Sequence, residues 1–522
     1  MDVDAAPAPS APARRIVVPV DSPFDLEAVA SQADPTGRGK ITRLLFIAHS
    51  SPSLAGPALT LALDAIKHLT LDVRLYEDTF HAYKRHIQAV ETGEEQDPAA
   101  RAWYAQVRDS QQTVDRNWVD SARKEAQSGQ QKLEVELKGY MTNLIKESIR
   151  MGHRDLARFQ YRTGDFQGAV RSYTKSREFC TTGQHVLEMC LGVIEVALDM
   201  SNYSFVRNYV VKAESAVEAA QASASNGKSK AAPVNLPGMV APAQDPQEAA
   251  KERERKIVLE RLTVAGGVAH LGAGAYDKAA LAFTEVGSEA LVSGPPHFIP
   301  AADVALYATL TGLACFSRAQ LRARVLENAN LRPFLDLEPY LRDIVRAFYD
   351  SQFKAGMDLL RKHEARFLLD IHLAAHVPAL FTLIQERALQ SYFQPFASVS
   401  LSRMAAAFGW PEDHLTAFVV GLVQRGMLKA RIDAAQGVLV ARKMDPRVEA
   451  FKNALEVGEK MQKRAKAAQL RMKLLQNDLV VKPSKGGRSG GGGGGGSGGP
   501  GGTRRAGGGG GGAGDGDLPV LE

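Results

Sequence analysis

The sequence predicts a mainly α-helical chain in three parts: a stack of paired helices, a compact helix–helix–hairpin module and one long C-terminal helix. Three observations carry that expectation. Aromatic residues recur behind short turn sequences, each followed by small or apolar residues three and seven positions later. After Ala379 the pattern changes to a helix, a short extended segment, two short helical segments and two runs that alternate apolar with polar residues. From residue 445 a narrow apolar stripe then repeats at spacings of three and four.

Residues 1–20 are rich in Ala and Pro and hold too little apolar surface to offset the entropy of ordering, so they are expected to be disordered. A helical region is expected over 21–149. Leu44, Leu45, Ile47 and Ala48 form one short apolar face. Leu59, Leu61, Leu63, Ile66 and Leu69 form a second after a Ser-Pro-Ser turn, which predicts a pair of helices. Residues 92–99 read as a polar loop. Helices are expected again over 102–149, with Leu133, Leu137, Met141, Leu144 and Ile145 spaced for burial.

Residues 150–379 carry the repeats. Phe166, Ala169 and Tyr173 are the first set, and Tyr203, Val206 and Val210 the second. Tyr276, Ala279 and Phe283 are the third, and Phe353, Gly356 and Leu360 a weaker fourth. Positions i, i+3 and i+7 share one helix face, so each set marks the second helix of a pair, with the small residue permitting close approach. Stacked pairs of this kind form a tetratricopeptide-like helical-repeat solenoid, an architecture that serves to bind other proteins. Residues 221–248 have loop composition and are expected to leave the stack as a flexible insertion.

A helix over 380–392, an extended segment at 397–399, helices at 401–408 and 412–424, and strands at 428–433 and 438–442 follow one another in the order of a winged helix, bounded at 380–445. One long helix is expected over 446–482, with Ala454, Val457, Met461, Ala465, Ala468, Met472, Leu475 and Leu479 as its seam. Lys460, Lys463, Arg464, Lys466, Arg471 and Lys473 crowd the same segment. A solvated single helix, a nucleic-acid stripe and a bundle element are the alternatives. The seam favours the bundle, because an isolated helix gains nothing from such a stripe. Residues 483–522 are largely glycine and read as a disordered tail.

The function classes narrow from there. A net charge of +6 over 522 residues is modest and does not by itself indicate a nucleic-acid partner. Cys180, Cys190 and Cys315 show no CxxC spacing, so reduced intracellular thiols are expected, with the nucleus and cytoplasm as the compartments. The first residues lack the apolar core of a secretory signal, and apolar runs such as Leu44 to Ala48 fall far below the roughly 20 residues a membrane helix needs, so no membrane is expected as a partner. His372 and His376 have the i, i+4 spacing of a zinc pair, but no Glu follows the first and no third ligand lies near, so they read as packing residues. GGVAHLGAG at 266–274 follows no strand, which leaves Gly272 and Gly274 as turn residues between paired helices. With no P-loop, no GxSxG elbow and no nucleophile constellation, the chain is expected not to be an enzyme, with no catalytic residue, cofactor or metal. Glu412 and Asp413 occupy the first turn of the second module helix, where a groove reader would meet phosphates, so nucleic acid is not expected as a partner.

The surfaces left for function are surfaces for proteins. The edge strand of the hairpin can extend a neighbour's sheet, which makes Leu428, Ala430, Ile432, Val438 and Val440 candidates for partner binding. On the long helix the candidates are Val457, Met461, Met472, Leu475 and Leu479.

A helical-repeat stack fused to a winged helix is the architecture of PCI-domain proteins, which occur in the proteasome lid, the signalosome and a translation initiation complex. FDLEAVA at 24–30, RLLFIAHSSPSL at 43–54, REFCTT at 177–182, FLDLEP at 334–339, FLLDIHLAAHV at 367–377 and RMAAAF at 403–408 make the match narrower. Over about residues 20–480 the chain resembles the subunit-one family of the COP-nine signalosome. The resemblance implies a non-catalytic scaffold in a complex that removes the ubiquitin-like modifier NEDD from cullins and so regulates cullin-RING ubiquitin ligases, with the isopeptidase in another subunit. It implies other PCI and MPN subunits as partners, with cullin-RING ligases met indirectly or through the N-terminal repeats. The paralogous PCI subunit of the proteasome lid is the alternative, and a winged-helix DNA-binding regulator a more distant one.

Overall fold

The computed structural model describes residues 25–26, 38–93, 97–108, 113–226, 246–287, 298–442 and 446–477. The segments expected to be disordered, 1–20 and 483–522, lie outside them, and so does Leu479. The chain divides into two units, residues 1–442 and 443–522.

The N-terminal pair is α1 (Gly39–Ser50) and α2 (Pro52–Leu69). Ser51 between them is extended (φ −123°, ψ 112°), and Pro52 starts α2, where the first helical turn needs no N–H donor. α3 (Val73–Thr92) is capped by the Asp72 carboxylate on the Leu75 N–H and stopped by Gly93 at φ 77°. α4 (Pro98–Val107) brings Trp103 so close to α2 that a Cβ on Gly56 would lie 2.3 Å from its ring. α5 (Arg116–Thr142) completes the region.

One expectation fails here. Leu137 is buried as its spacing predicts, but Met141, Leu144 and Ile145 are 41%, 80% and 51% exposed. The helix ends at Thr142, and Leu144 turns the chain at φ 55°, so the 3.6-residue period does not carry through and these residues fall on the corner before α6 (Lys146–Arg162).

The repeats occupy four helix pairs: α6 with α7 (Phe166–Ser176), α8 (Gly183–Asp199) with α9 (Tyr203–Asn226), α10 (Pro246–Gly272) with α11 (Tyr276–Glu285), and, after α12 (Ala301–Cys315), α13 (Pro339–Tyr349) with α14 (Phe353–Lys362). Every repeat aromatic is the first residue of its helix. Two positions before it stands a residue in the left-handed region: Gly164 (φ 87°), Ser201 (φ 54°), Gly274 (φ 72°) and Ser351 (φ 62°). The next N–H then reaches back five residues in each turn: Asp165 to Gln160 (2.9 Å), Asn202 to Ala197 (3.0 Å), Ala275 to His270 (2.9 Å) and Gln352 to Ala347 (2.8 Å). The same C-terminal cap is thus closed four times, and the fourth set is a full member. Ala169, Val206, Ala279 and Gly356 are buried at the helix contacts, as are Tyr173, Val210, Phe283 and Leu360 one turn further on.

The expected insertion is shorter than its composition implies. Helix α9 continues to Asn226 and α10 starts at Pro246, because Gln, Ala and Ser tolerate a helix and Pro is favoured in its first turn. What remains, 227–245, lies outside the described residues.

The boundary expected at 379/380 also moves. α15 runs Val377–Phe393, with Pro378 in its first turn, so residues 377–379 belong to the helix that leads into the module. β1 (Ser398–Ser400), α16 (Leu401–Phe408), α17 (Glu412–Gln424), β2 (Ala430–Asp433) and β3 (Val438–Ala441) then form the winged helix, with an antiparallel sheet of order β1-β3-β2. Its core is continuous with that of the repeats: one cluster of buried residues runs from Ala157 to Leu439. At the join, Phe353 of the fourth repeat stacks on Phe408 of α16, centroids 5.1 Å apart.

Two polar devices tie distant parts of this unit together. Arg43 of α1 pairs with Asp303 of α12 and with Asp370 (3.1 Å), Arg366 pairs with Asp303 (3.3 Å), and Tyr307 donates to Asp370 (2.7 Å). Asp303 and Asp370 are wholly buried and Arg43 is 5% exposed. Burial pushes the Asp370 carboxyl up, but Arg43, His372, the Tyr307 hydroxyl and Arg366 together hold it below the ordinary carboxylate range. The second device uses the paired histidines. The Tyr203 hydroxyl is 3.1 Å from His372 Nδ1, and the Tyr276 hydroxyl is 3.1 Å from His376 Nδ1. Helical i, i+4 spacing is not what aligns these rings, since both histidines lie in an irregular turn before α15; each meets the leading aromatic of a successive repeat.

The second unit contributes one long helix, α18 (Pro446–Gln476), 31 residues in length.

Candidate assembly surfaces

Within the winged helix, the alternation of the hairpin decides which side chains are available. Ala430 is buried, Arg431 and Asp433 are exposed, and Ile432 is half-buried against the core. Leu428 and Ala430 are only 6% and 7% exposed, so these two candidates for partner binding are core residues; the apolar face they mark points inward. Val438 and Val440 flank the fully buried Leu439 and are half-buried. The hairpin's offer to a neighbour is therefore its backbone. β3 is paired on both sides, by Ser398–Ser400 and by Ala430–Asp433, whereas β2 has a single partner strand among the described residues. The edge strand is four residues long and carries alternating charges, which limits indiscriminate pairing while leaving ladder groups for a shaped partner.

On α17, Glu412 and Asp413 form an exposed acidic first turn. They stabilise the helix N-terminus and oppose its approach to phosphates. Leu415, Val419 and Leu422 of the same helix are fully buried.

α18 is the opposite of the hairpin. Val457, Met461, Met472 and Leu475 are 63%, 72%, 62% and 57% exposed, so four of the candidates on this helix lie bare in the single chain. Full burial of each such side chain stabilises an interface by roughly 1.5–3 kcal/mol. Val448, Phe451 and Leu455 are exposed as well and broaden the stripe near the N-terminal end of the helix. The sequence reading missed these three, although their spacing of three and four was visible. Glu456 accepts an ion pair from Lys460 at 2.7 Å on the same helix, a solvated i, i+4 contact.

Among the described residues no group of three His, Cys, Asp or Glu side chains is arranged to hold a metal ion, and no helix is long and apolar enough to cross a membrane. Cys180, Cys190 and Cys315 are free. Burial pushes the Cys190 thiol up to about 11 and the Cys315 thiol up to about 12, which leaves both as protonated packing groups.

The sequence pattern of the family described as "26S proteasome subunit RPN7" matches residues 115–324, and that of the "PCI domain" matches 360–443. A curated relative from Arabidopsis thaliana, "COP9 signalosome complex subunit 1", is 33% identical over 87% of this chain and 91% of its own length. The chain belongs to the COP9 signalosome subunit 1 family. A second member, "COP9 signalosome complex subunit 1b" of Drosophila melanogaster, is 32% identical over 89% of this chain and 87% of its own. The "26S proteasome non-ATPase regulatory subunit 6" of Dictyostelium discoideum is only 20% identical, over 67% of the chain. The signalosome family is thus favoured over the proteasome-lid alternative, although the lid pattern matches the middle of the chain.

Proposed function

We propose that this chain is a non-catalytic scaffold subunit of a signalosome that removes NEDD from cullins and so regulates cullin-RING ubiquitin ligases, with the isopeptidase carried by another subunit. The observation that carries the reading is the bare apolar stripe of α18, a 31-residue helix with nothing in its own unit to cover it among the described residues. Such a helix completes a bundle contributed by several chains. The β2 edge supplies a second, lateral contact to a neighbouring PCI subunit through backbone pairing. The N-terminal helices and repeats face partners or substrate ligases, and MPN subunits meet the bundle. The nucleus and cytoplasm are the compartments where cullin-RING ligases would be met.

The test is affinity purification of the tagged full chain beside a variant lacking residues 446–482, followed by mass spectrometry of what co-purifies. Full-length protein is expected to recover signalosome subunits, and the shortened one to lose most of them while retaining the circular-dichroism melt of the repeats. Recovery of proteasome lid and ATPase subunits in their place, or undiminished assembly without α18, would overturn the reading.

A further inference from the structure

A groove of about 880 Å³ runs along the C-terminal half of α15, between the turn that follows α12 and the residues leading into β2. Its floor and walls are aromatic and aliphatic, with Phe316, Phe348, Phe353, Tyr392 and Phe393 among them. At its rim Phe396 and Met427 are 46% and 52% exposed, apolar side chains that folding of the single chain leaves wet. Among the described residues the charge of the lining is one-sided: Arg318, Arg387 and Lys429 belong to it, and no Asp or Glu does. Arg318 lies over the Tyr349 ring, 4.9 Å from its centroid, which fixes its guanidinium without neutralising it. Arg387 donates one Nη to the Cys315 carbonyl, a dipole and not a counter-ion, and its Nε is buried with no hydrogen-bond partner among the described residues.

We propose that this groove binds an extended segment of another protein in which Asp or Glu residues flank apolar side chains. Apolar side chains fill the aromatic trough and displace water from Phe396 and Met427, and the carboxylates meet Arg318 and Arg387. A helix in the groove would turn two-thirds of its side chains away from it, whereas an extended strand alternates between the apolar floor and the charged rim. Nucleic acid shares the negative charge but leaves the aliphatic part of the lining unmatched. The inference stands apart from the bundle role of α18, since every lining residue belongs to the first unit.

The experiment is fluorescence anisotropy with the purified full chain and a fluorescein-labelled peptide of ~12 residues alternating Asp/Glu with Phe/Leu, about the length an extended groove ligand needs. Three controls replace its acids by Lys, its Phe/Leu by Ser, or the peptide by oligouridine. Saturable binding is expected for the acidic–apolar peptide, weakened by added salt. It should fall at least about tenfold in R318E and again in F396A/M427A, with unchanged thermal melts. Equal affinity in these variants, equal binding of any control, or no saturable binding at all overturns the proposal.

Discussion

Replacing Arg43 with Met tests whether the buried ion cluster holds the N-terminal helices to the rest of the first unit. Arg43 is 5% exposed and its partners Asp303 and Asp370 are wholly buried. Its loss leaves Arg366 as the remaining guanidinium in the cluster among the described residues, facing two carboxylates. One buried carboxylate is then uncompensated, a defect of roughly 3–5 kcal/mol. That is a fifth or more of the ~5–15 kcal/mol by which a typical domain is stable. The damage should concentrate at α1, which joins the cluster through Arg43 across 260 and 327 residues of sequence.

Two measurements read it. Urea unfolding should show the lost stability, and amide hydrogen exchange should show protection lost over residues 39–69 first. Adding Asp370→Asn removes the orphaned charge, so the double variant should be less damaged than the two single losses predict, with a coupling of about 1–3 kcal/mol. The Asp370 carboxyl is held below its ordinary 3.8 in the folded chain, so its share of stability is present above that pH and lost as pH falls through the lowered value. The difference between wild type and R43M should therefore shrink in acid. A loss under ~1 kcal/mol with unaltered protection of α1 would refute the reasoning, because a truly buried, paired guanidinium cannot be removed so lightly.

Three further outcomes follow, two from packing and one from protonation. Gly267→Ala puts a Cβ 2.7 Å from the Phe283 ring, which is itself fully buried, so overpacking of ~1–3 kcal/mol should exceed the ~1 kcal/mol helix preference for Ala and lower the melting temperature. Gly421→Ala on α17 meets nothing within 4 Å and should be neutral or slightly stabilising in the same assay. His153, His270, His363, His372 and His376 are all held below the ordinary imidazole value of 6.5, burial being the first cause in each. As pH falls from 6.5 the unfolded chain takes up these protons first, so stability present above that pH should decline below it; a urea midpoint that stays flat or rises between pH 6.5 and 5 would contradict this assignment.

The repeats were legible because their signal is local. An aromatic residue at the start of a helix, a left-handed turn two positions earlier and a small residue at the crossing all lie within about ten residues, and each has a side-chain signature. The order of the winged helix was legible for the same reason. Arg43 and Asp370 stand in two of the segments that carry the family resemblance, yet nothing in either segment says that they meet. Pairing over such a separation is a property of the closed solenoid and has no periodicity to reveal it.

Periodicity also says which residues share a face without saying what covers that face, and three stripes of this chain separate the two questions. At 428–430 the stripe is consumed by the chain's own core, which leaves Leu428 and Ala430 only 6% and 7% exposed. At 141–145 the stripe meets a turn and is left on a corner, where Leu144 is 80% exposed. On α18 it is left bare along a whole helix. The first unit closes a continuous core of its own, from Ala157 to Leu439. The helix can then be given entirely to an assembly, and its loss should cost the complex its subunit before it costs the subunit its fold.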